Sequence, residues 1–165
     1  MKHEHMASRR DVLQRVALAC TAMASPALWA ATAKRIPVEV WKDSTCGCCK
    51  DWVTHMEDNG FAVTVHDTGN SAVRARLGIP SRLGSCHTAL VEGYALEGHV
   101  PAADVRRLLQ QKPQALGLAV PGMPVGSPGM DGPQYGSRKD PYEVLLITRN
   151  LMTRDISTQT FTSYR

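Results

Sequence analysis

Aromatic residues are scarce in this sequence: phenylalanine, tyrosine and tryptophan together make up 5%, and phenylalanine occurs only twice. There is no run of lysine or arginine either, and the formal net charge at pH 7 is a mild +4. Nucleic-acid binding relies on aromatic faces for bases and clustered cations for phosphates, so these shortages argue against such a partner. No acid–base dyad or cofactor-binding fingerprint is visible, which argues against chemistry on a carbon substrate. No internal repeat is visible. The main apolar run, "VALACTAMASPALWAATA", is too short and too rich in alanine for a durable membrane span.

What is present suits one compact domain with extensions: 165 residues, 43% hydrophobic and 21% charged. The first 33 residues read as a cleavable export signal. Lys2, Arg9, Arg10 and Arg15 precede or border the apolar run, and Ala31 and Ala33 form an A-x-A cleavage pattern. "SRRDVL" matches a twin-arginine signal except that Val12 stands where phenylalanine is preferred; a Sec signal is the alternative. Cys20 does not make a lipobox, because Ala17 occupies the leucine position. The expected location is therefore the periplasm, with no stable membrane anchor after cleavage. Removing the leader halves the net charge, and four of the five cysteines remain.

Residues 34–165 are expected to form a single domain. "IPVEVWKD" alternates as a strand does, and "CCKDWVTHMEDNG" places Cys49, Trp52, Val53 and Met56 at helical spacing before an Asn59-Gly60 stop. "FAVTVHDT" is a second strand, and "NSAVRARLGI" is a short helix opened by Asn70 or Ser71. "TALVEGYALEGHV" forms two strands around Glu92-Gly93, and "PAADVRRLLQQ" a helix with Val105, Leu108 and Leu109 on one face. The order is β-α-β-α-β-β-α, an α/β fold of thioredoxin-like arrangement. Residues 112–140, dense in glycine and proline, read as irregular loop, and residues 141–165 as a terminal β-hairpin that extends or covers the sheet.

Three of the four remaining cysteines, Cys46, Cys48 and Cys49, crowd the turn between the first strand and first helix; Cys86 lies on the loop entering the third strand. A helix N-terminus favours thiolate, which is both nucleophile and metal ligand. Cys46 and Cys49 have redox-pair spacing, but Cys48 is then a surplus thiol that invites exchange. Soft metals use such a thiol, because thiolate sulfur binds Cu(I) and can bridge two ions. Spacing alone thus favours a metal site over thiol–disulfide redox at Cys46/Cys49, and both over purely structural disulfides. Zinc is the alternative metal, although the second C-x-x-C pair of a typical single-ion site is missing.

Together "TCGCCKDWVTHMEDNGFAV", "LGIPSRLGSCHTALVEGYALEGHVPAADVRRLL" and "GLAVPGMPVGSPGM" resemble the CopG-type copper-resistance family of the bacterial periplasm, from about Val38 to Leu146. The resemblance implies a thioredoxin-like fold, a role in copper tolerance and a multinuclear copper–thiolate centre on Cys46, Cys48, Cys49 and Cys86. It also implies possible copper redox chemistry. The expected partners are copper ions and other periplasmic copper-handling proteins. His87, Met123 and Met130 are secondary ligand candidates, the methionines because thioether is soft and they sit on a Gly/Pro loop. His99 is read as structural, His55 and His66 as surface positions, and Lys50 as solvated.

Overall fold

Alternation of buried and outward-facing residues builds β1 (Ile36–Lys42), where Val38, Val40 and Lys42 are buried and Pro37 and Glu39 are exposed. The computed structural model describes residues 34–165, which form one compact unit. The export signal, its cleavage pattern and Cys20 lie outside the described residues.

From β1 the chain turns into α1 (Gly47–Asp58), whose buried face carries Cys49, Trp52 and Met56. Gly60 stops the helix at φ +80°. The chain returns as β2 (Phe61–His66), parallel to β1, and then forms α2 (Ser71–Arg76). β3 (His87–Val91) runs antiparallel to β1 and continues through a tight turn into β4 (Tyr94–Glu97). The turn places Glu92 at φ 44° and Gly93 at φ 86°, the mirror-image geometry suited to twisted hairpins. α3 (Ala102–Gln111) follows, burying Val105, Leu108 and Leu109 as their spacing predicts. The β-α-β-α-β-β-α order expected from the sequence is the order found.

The Gly/Pro-rich stretch holds an element that its composition conceals. Gly117–Ala119 forms β5, parallel to β4. A Cβ on Gly117 would lie 1.7 Å from the Ala95 carbonyl oxygen, so only glycine permits this pairing. β6 (Tyr142–Arg149) and β7 (Ile156–Tyr164) then extend the sheet, giving the order β2-β1-β3-β4-β5-β6-β7. Asp104 of α3, almost fully buried, fastens this hairpin by accepting hydrogen bonds from the hydroxyls of Tyr164 (2.6 Å) and Thr162.

The main core lies between the sheet and its helices. It includes Val38, Val40, Trp52, Met56, Phe61, Leu96, Leu108 and Leu118. Trp52 also donates its indole N–H to the Val100 carbonyl at 2.9 Å, so the site helix is tied to the chain between β4 and α3. His55, expected at the surface, is half-buried and accepts the Ala102 N–H through Nε2 at 3.1 Å. It therefore satisfies an N–H of the first turn of α3 that no helical carbonyl can reach.

The remainder of the Gly/Pro stretch packs against α1. Gly129 adopts φ +85°, and a Cβ there would meet backbone atoms: the Cys48 carbonyl oxygen at 2.5 Å and the Trp52 nitrogen at 2.8 Å. Backbone on both sides cannot yield, so Gly129→Ala is expected to cost about 1–3 kcal/mol from the left-handed backbone alone. In the reduced protein it should also raise the alkylation rate of Cys48. Chemical denaturation with mass-spectrometric thiol mapping checks both, and wild-type values in the variant would contradict the close packing.

Candidate metal centre

The site begins with a turn that the side chain of Asp43 organises. Its Oδ1 accepts the Thr45 N–H at 2.8 Å and the Thr45 hydroxyl at 2.6 Å, and its carbonyl accepts the Cys46 N–H at 3.1 Å. These hydrogen bonds hold the Asp43 carboxyl below its usual range. Cys46 is the N-cap of α1 and makes no side-chain cap. With no acidic residue in the first turn, the partial positive charge of the helix start is left to the sulfur atoms.

Sequence reasoning singled out four cysteines, and the fold brings all four together. One sulfur from each of Cys46, Cys48, Cys49 and Cys86 lies within 4.8 Å of all the others. Cys46 and Cys49 form a disulfide, and among the described residues Cys48 and Cys86 are free thiols. Cys48 Sγ lies 3.7 Å from Cys46 Sγ and 4.0 Å from Cys86 Sγ, so the surplus thiol of α1 stands between its N-cap cysteine and the loop carrying Cys86. Cys49 Sγ sits 3.7 Å from the Cys86 carbonyl oxygen. Burial first, then the proximity of Cys48, pushes the Cys86 thiol up to about 12. A poorly solvated thiol of this kind holds its proton until a positive ion replaces it.

A second donor group shares Cys86. Its sulfur lies 3.0 Å from His99 Nε2 and 3.4 Å from His87 Nδ1, and both imidazoles are fully buried. His99, expected to be structural, is thus directed at the site. Its Nδ1 faces the Pro128 carbonyl at 2.7 Å, and because a carbonyl only accepts, the proton belongs on Nδ1 and the Nε2 lone pair faces sulfur. His87 packs on Trp52, with ring centroids 4.3 Å apart, and meets His99 edge-on at 5.1 Å. His87 Nε2 is buried with no hydrogen-bond partner among the described residues, an orphaned nitrogen of the kind that a ligand satisfies. The soft sulfurs and these neutral nitrogens fit copper.

The Gly/Pro loop forms one wall. Pro128 orients His99, Gly129 lies against α1, and the Gly122 carbonyl accepts the Ser85 hydroxyl beside Cys86. Met123 is 51% exposed on this loop. Met130 is buried, and its sulfur accepts the Tyr135 hydroxyl at 3.2 Å, so its thioether is already engaged. Lys50 is exposed, as expected. Trp41 stacks on His66, with ring centroids 4.8 Å apart.

Burial pushes both site imidazoles down: for His87 desolvation is joined by the nearby His99, while for His99 it outweighs the bond to Pro128. As pH falls below about 6.5 the unfolded chain takes up protons that the folded imidazoles refuse, so stability present above that pH is lost. Burial raises the Glu97 carboxyl, which acts in the opposite sense. The metal-free protein should therefore melt at a lower temperature at pH 5.5 than at 7.5, with a smaller difference in the His87→Gln/His99→Gln double variant. Equal pH slopes in the two proteins, measured by calorimetry, would contradict the neutral assignment.

Comparison with known proteins places the chain among relatives. Residues 83–130, which include Cys86, His87 and His99, match the family model described as "Protein of unknown function, DUF411". No curated protein matches. Two solved structures, described as forms 1 and 2 of the copper resistance protein CopG, are each 46% identical to this chain and cover 79% of it. The alignments span 98% and 99% of those chains, with TM-scores of 0.70 and 0.68. At that identity and coverage, the chain belongs to the CopG family of copper resistance proteins.

Proposed function

We propose that this chain is a periplasmic copper-binding protein of copper resistance, holding Cu(I) jointly on Cys46, Cys48, Cys49 and Cys86 as a multinuclear copper–thiolate cluster. The observation that carries the reading is the convergence of Cys86 on three cysteines from a distant turn, all four sulfurs within 4.8 Å. Sulfur donors favour Cu(I), and sulfurs approached from two loops suit bridging between ions. His99 and His87 supply nitrogen donors at the Cys86 side. Half-exposed Met123, next to the loop contact with Ser85, is a soft first foothold for arriving metal. The β2-β1-β3-β4 order, with β1 and β2 parallel and β3 antiparallel to both its neighbours, supports a thioredoxin-like core.

The disulfide adds a redox dimension. With Cys46 and Cys49 joined, Cys48 and Cys86 are the sulfurs left free. Opening the bond takes two electrons, which two Cu(I) supply on becoming Cu(II), and two protons when the products are thiols. In reverse, two Cu(II) oxidise the two thiols to the disulfide, become Cu(I) and release two protons. The same disulfide at a helix start favours the second reading, a thiol–disulfide oxidoreductase using Cys46 and Cys49. That activity would survive Cys48→Ser, whereas cluster binding would not.

Residues 1–33 are read as the export leader. None of the described helices is long and apolar enough to cross a membrane. Protein recovered from a periplasmic fraction should have an intact mass corresponding to a start near Lys34; a mass retaining the first 33 residues would contradict the leader.

Reduced under anaerobic conditions, the protein should take up several copper ions per chain, and copper should protect all four thiols from alkylation. Cys86→Ser should lower the stoichiometry, and elemental analysis of protein from copper-stressed cells should find copper in place of zinc. Failure of any copper to survive a competing chelator would overturn the reading.

A further inference from the structure

Cys86 is the one cysteine of the group outside the β1–α1 turn, so the site depends on how the Ser85–Cys86 segment is held. The β-ladders do not hold it. Pairing of β3 with β1 begins at His87, opposite Lys42, and pairing of β3 with β4 begins at Thr88, opposite Glu97. The Gly98 N–H reaches back only to the His87 carbonyl.

Side chains take over at that point. Glu97, at the end of β4, is completely buried and its carboxylate accepts three hydrogen bonds. Its Oε1 receives the Ser85 N–H at 2.7 Å and Arg74 Nε at 2.7 Å, and its Oε2 receives the Thr88 hydroxyl at 2.6 Å. Arg74, on α2, uses a second nitrogen on the Ser85 carbonyl at 2.7 Å. Asn70 reaches the same carbonyl at 3.1 Å and the Thr88 hydroxyl at 3.2 Å. Asn70, one of the two residues expected to open α2, is its N-cap, but its side chain makes no cap hydrogen bond and is engaged here instead. Both backbone polar groups of Ser85 are thus held by side chains from two other elements.

A buried ion pair is weak evidence for stability, since an apolar pair of equal size often serves as well. What an apolar pair lacks is a fork that grips an N–H and a C=O of one residue simultaneously. The same carboxylate stands two residues before His99, so one group ties together the segments carrying Cys86 and His99.

We propose that Glu97 and Arg74 are positioning residues for the metal centre, clamping Ser85 from both sides so that Cys86 faces the three cysteines of α1 and its N-cap. The copper arm of the test rests on the reading of Cys86 as a copper donor; the other arms do not. In the unmodified protein the Ser85 amide, which no strand partner holds, should exchange with solvent as slowly as the β3 amides. Arg74→Lys keeps the charge but cannot reach Glu97 and the Ser85 carbonyl together, and Glu97→Gln keeps the shape. In either folded, reduced variant, the alkylation rate of Cys86 relative to Cys48 should rise about tenfold, and Cu(I) affinity in chelator competition should fall about tenfold or more. Should Glu97→Gln fail to fold, Arg74→Lys and the exchange measurement decide. Rapid Ser85 exchange in the wild type, or an alkylation ratio within about twofold of wild type in folded Arg74→Lys, would overturn the proposal. If the wild type holds no copper, the copper-site reading fails, and exchange and alkylation still decide the clamp.

Discussion

The close approach of Cys86 to a turn far away in sequence is the constraint around which the structure is arranged. Its sulfur stands 4.0 Å from Cys48 Sγ and 3.0 Å from His99 Nε2, in surroundings whose burial pushes the thiol up to about 12. Packing sulfurs and neutral imidazoles so closely withdraws polar atoms from water, an arrangement unfavourable unless something else satisfies them. The unpartnered His87 nitrogen marks where that satisfaction is incomplete in the protein alone.

Three parts of the molecule share the task of keeping these donors together. The antiparallel pairing of β1 and β3 brings the end of one strand beside the start of the other, Lys42 opposite His87. The Gly/Pro loop covers the same corner and aims His99 through the Pro128 carbonyl. The buried Glu97–Arg74 pair finishes what the ladders leave undone at Ser85. Rigid positioning by an outer shell is what separates a metal site from a chance gathering of thiols.

Much of this was legible from residue order. Alternation in "IPVEVWKD" and helical spacing of Cys49, Trp52, Val53 and Met56 report burial on one face: Val38 and Val40 are buried, as are Cys49, Trp52 and Met56, while Val53 is half-buried at the edge and Lys42 is buried against the apolar–polar pattern. The cysteine cluster could be placed because three thiols within four positions leave few chemical uses. β5 escaped notice because three residues are too few to show a period, and glycine was read as loop punctuation when here it permits close strand contact. The apolar run Leu118, Ala119 and Val120, wholly buried, was the available signal. The half-buried place of His55 and the closeness of His99 to Cys86 were not legible because a lone histidine carries no pattern; its role depends on what the fold sets against it. Glu97 gave no warning at all, since a charged residue ending a strand is ordinarily solvated.

The central claim is that sulfur from both loops holds copper jointly. Copper-edge X-ray absorption of the reduced, copper-loaded protein tests it most directly. The account predicts a first shell dominated by sulfur, a copper–copper scattering feature, and loss of both sulfur amplitude and that feature in Cys86→Ser. A shell of oxygen and nitrogen alone, or a spectrum indifferent to replacement of Cys86, would contradict it.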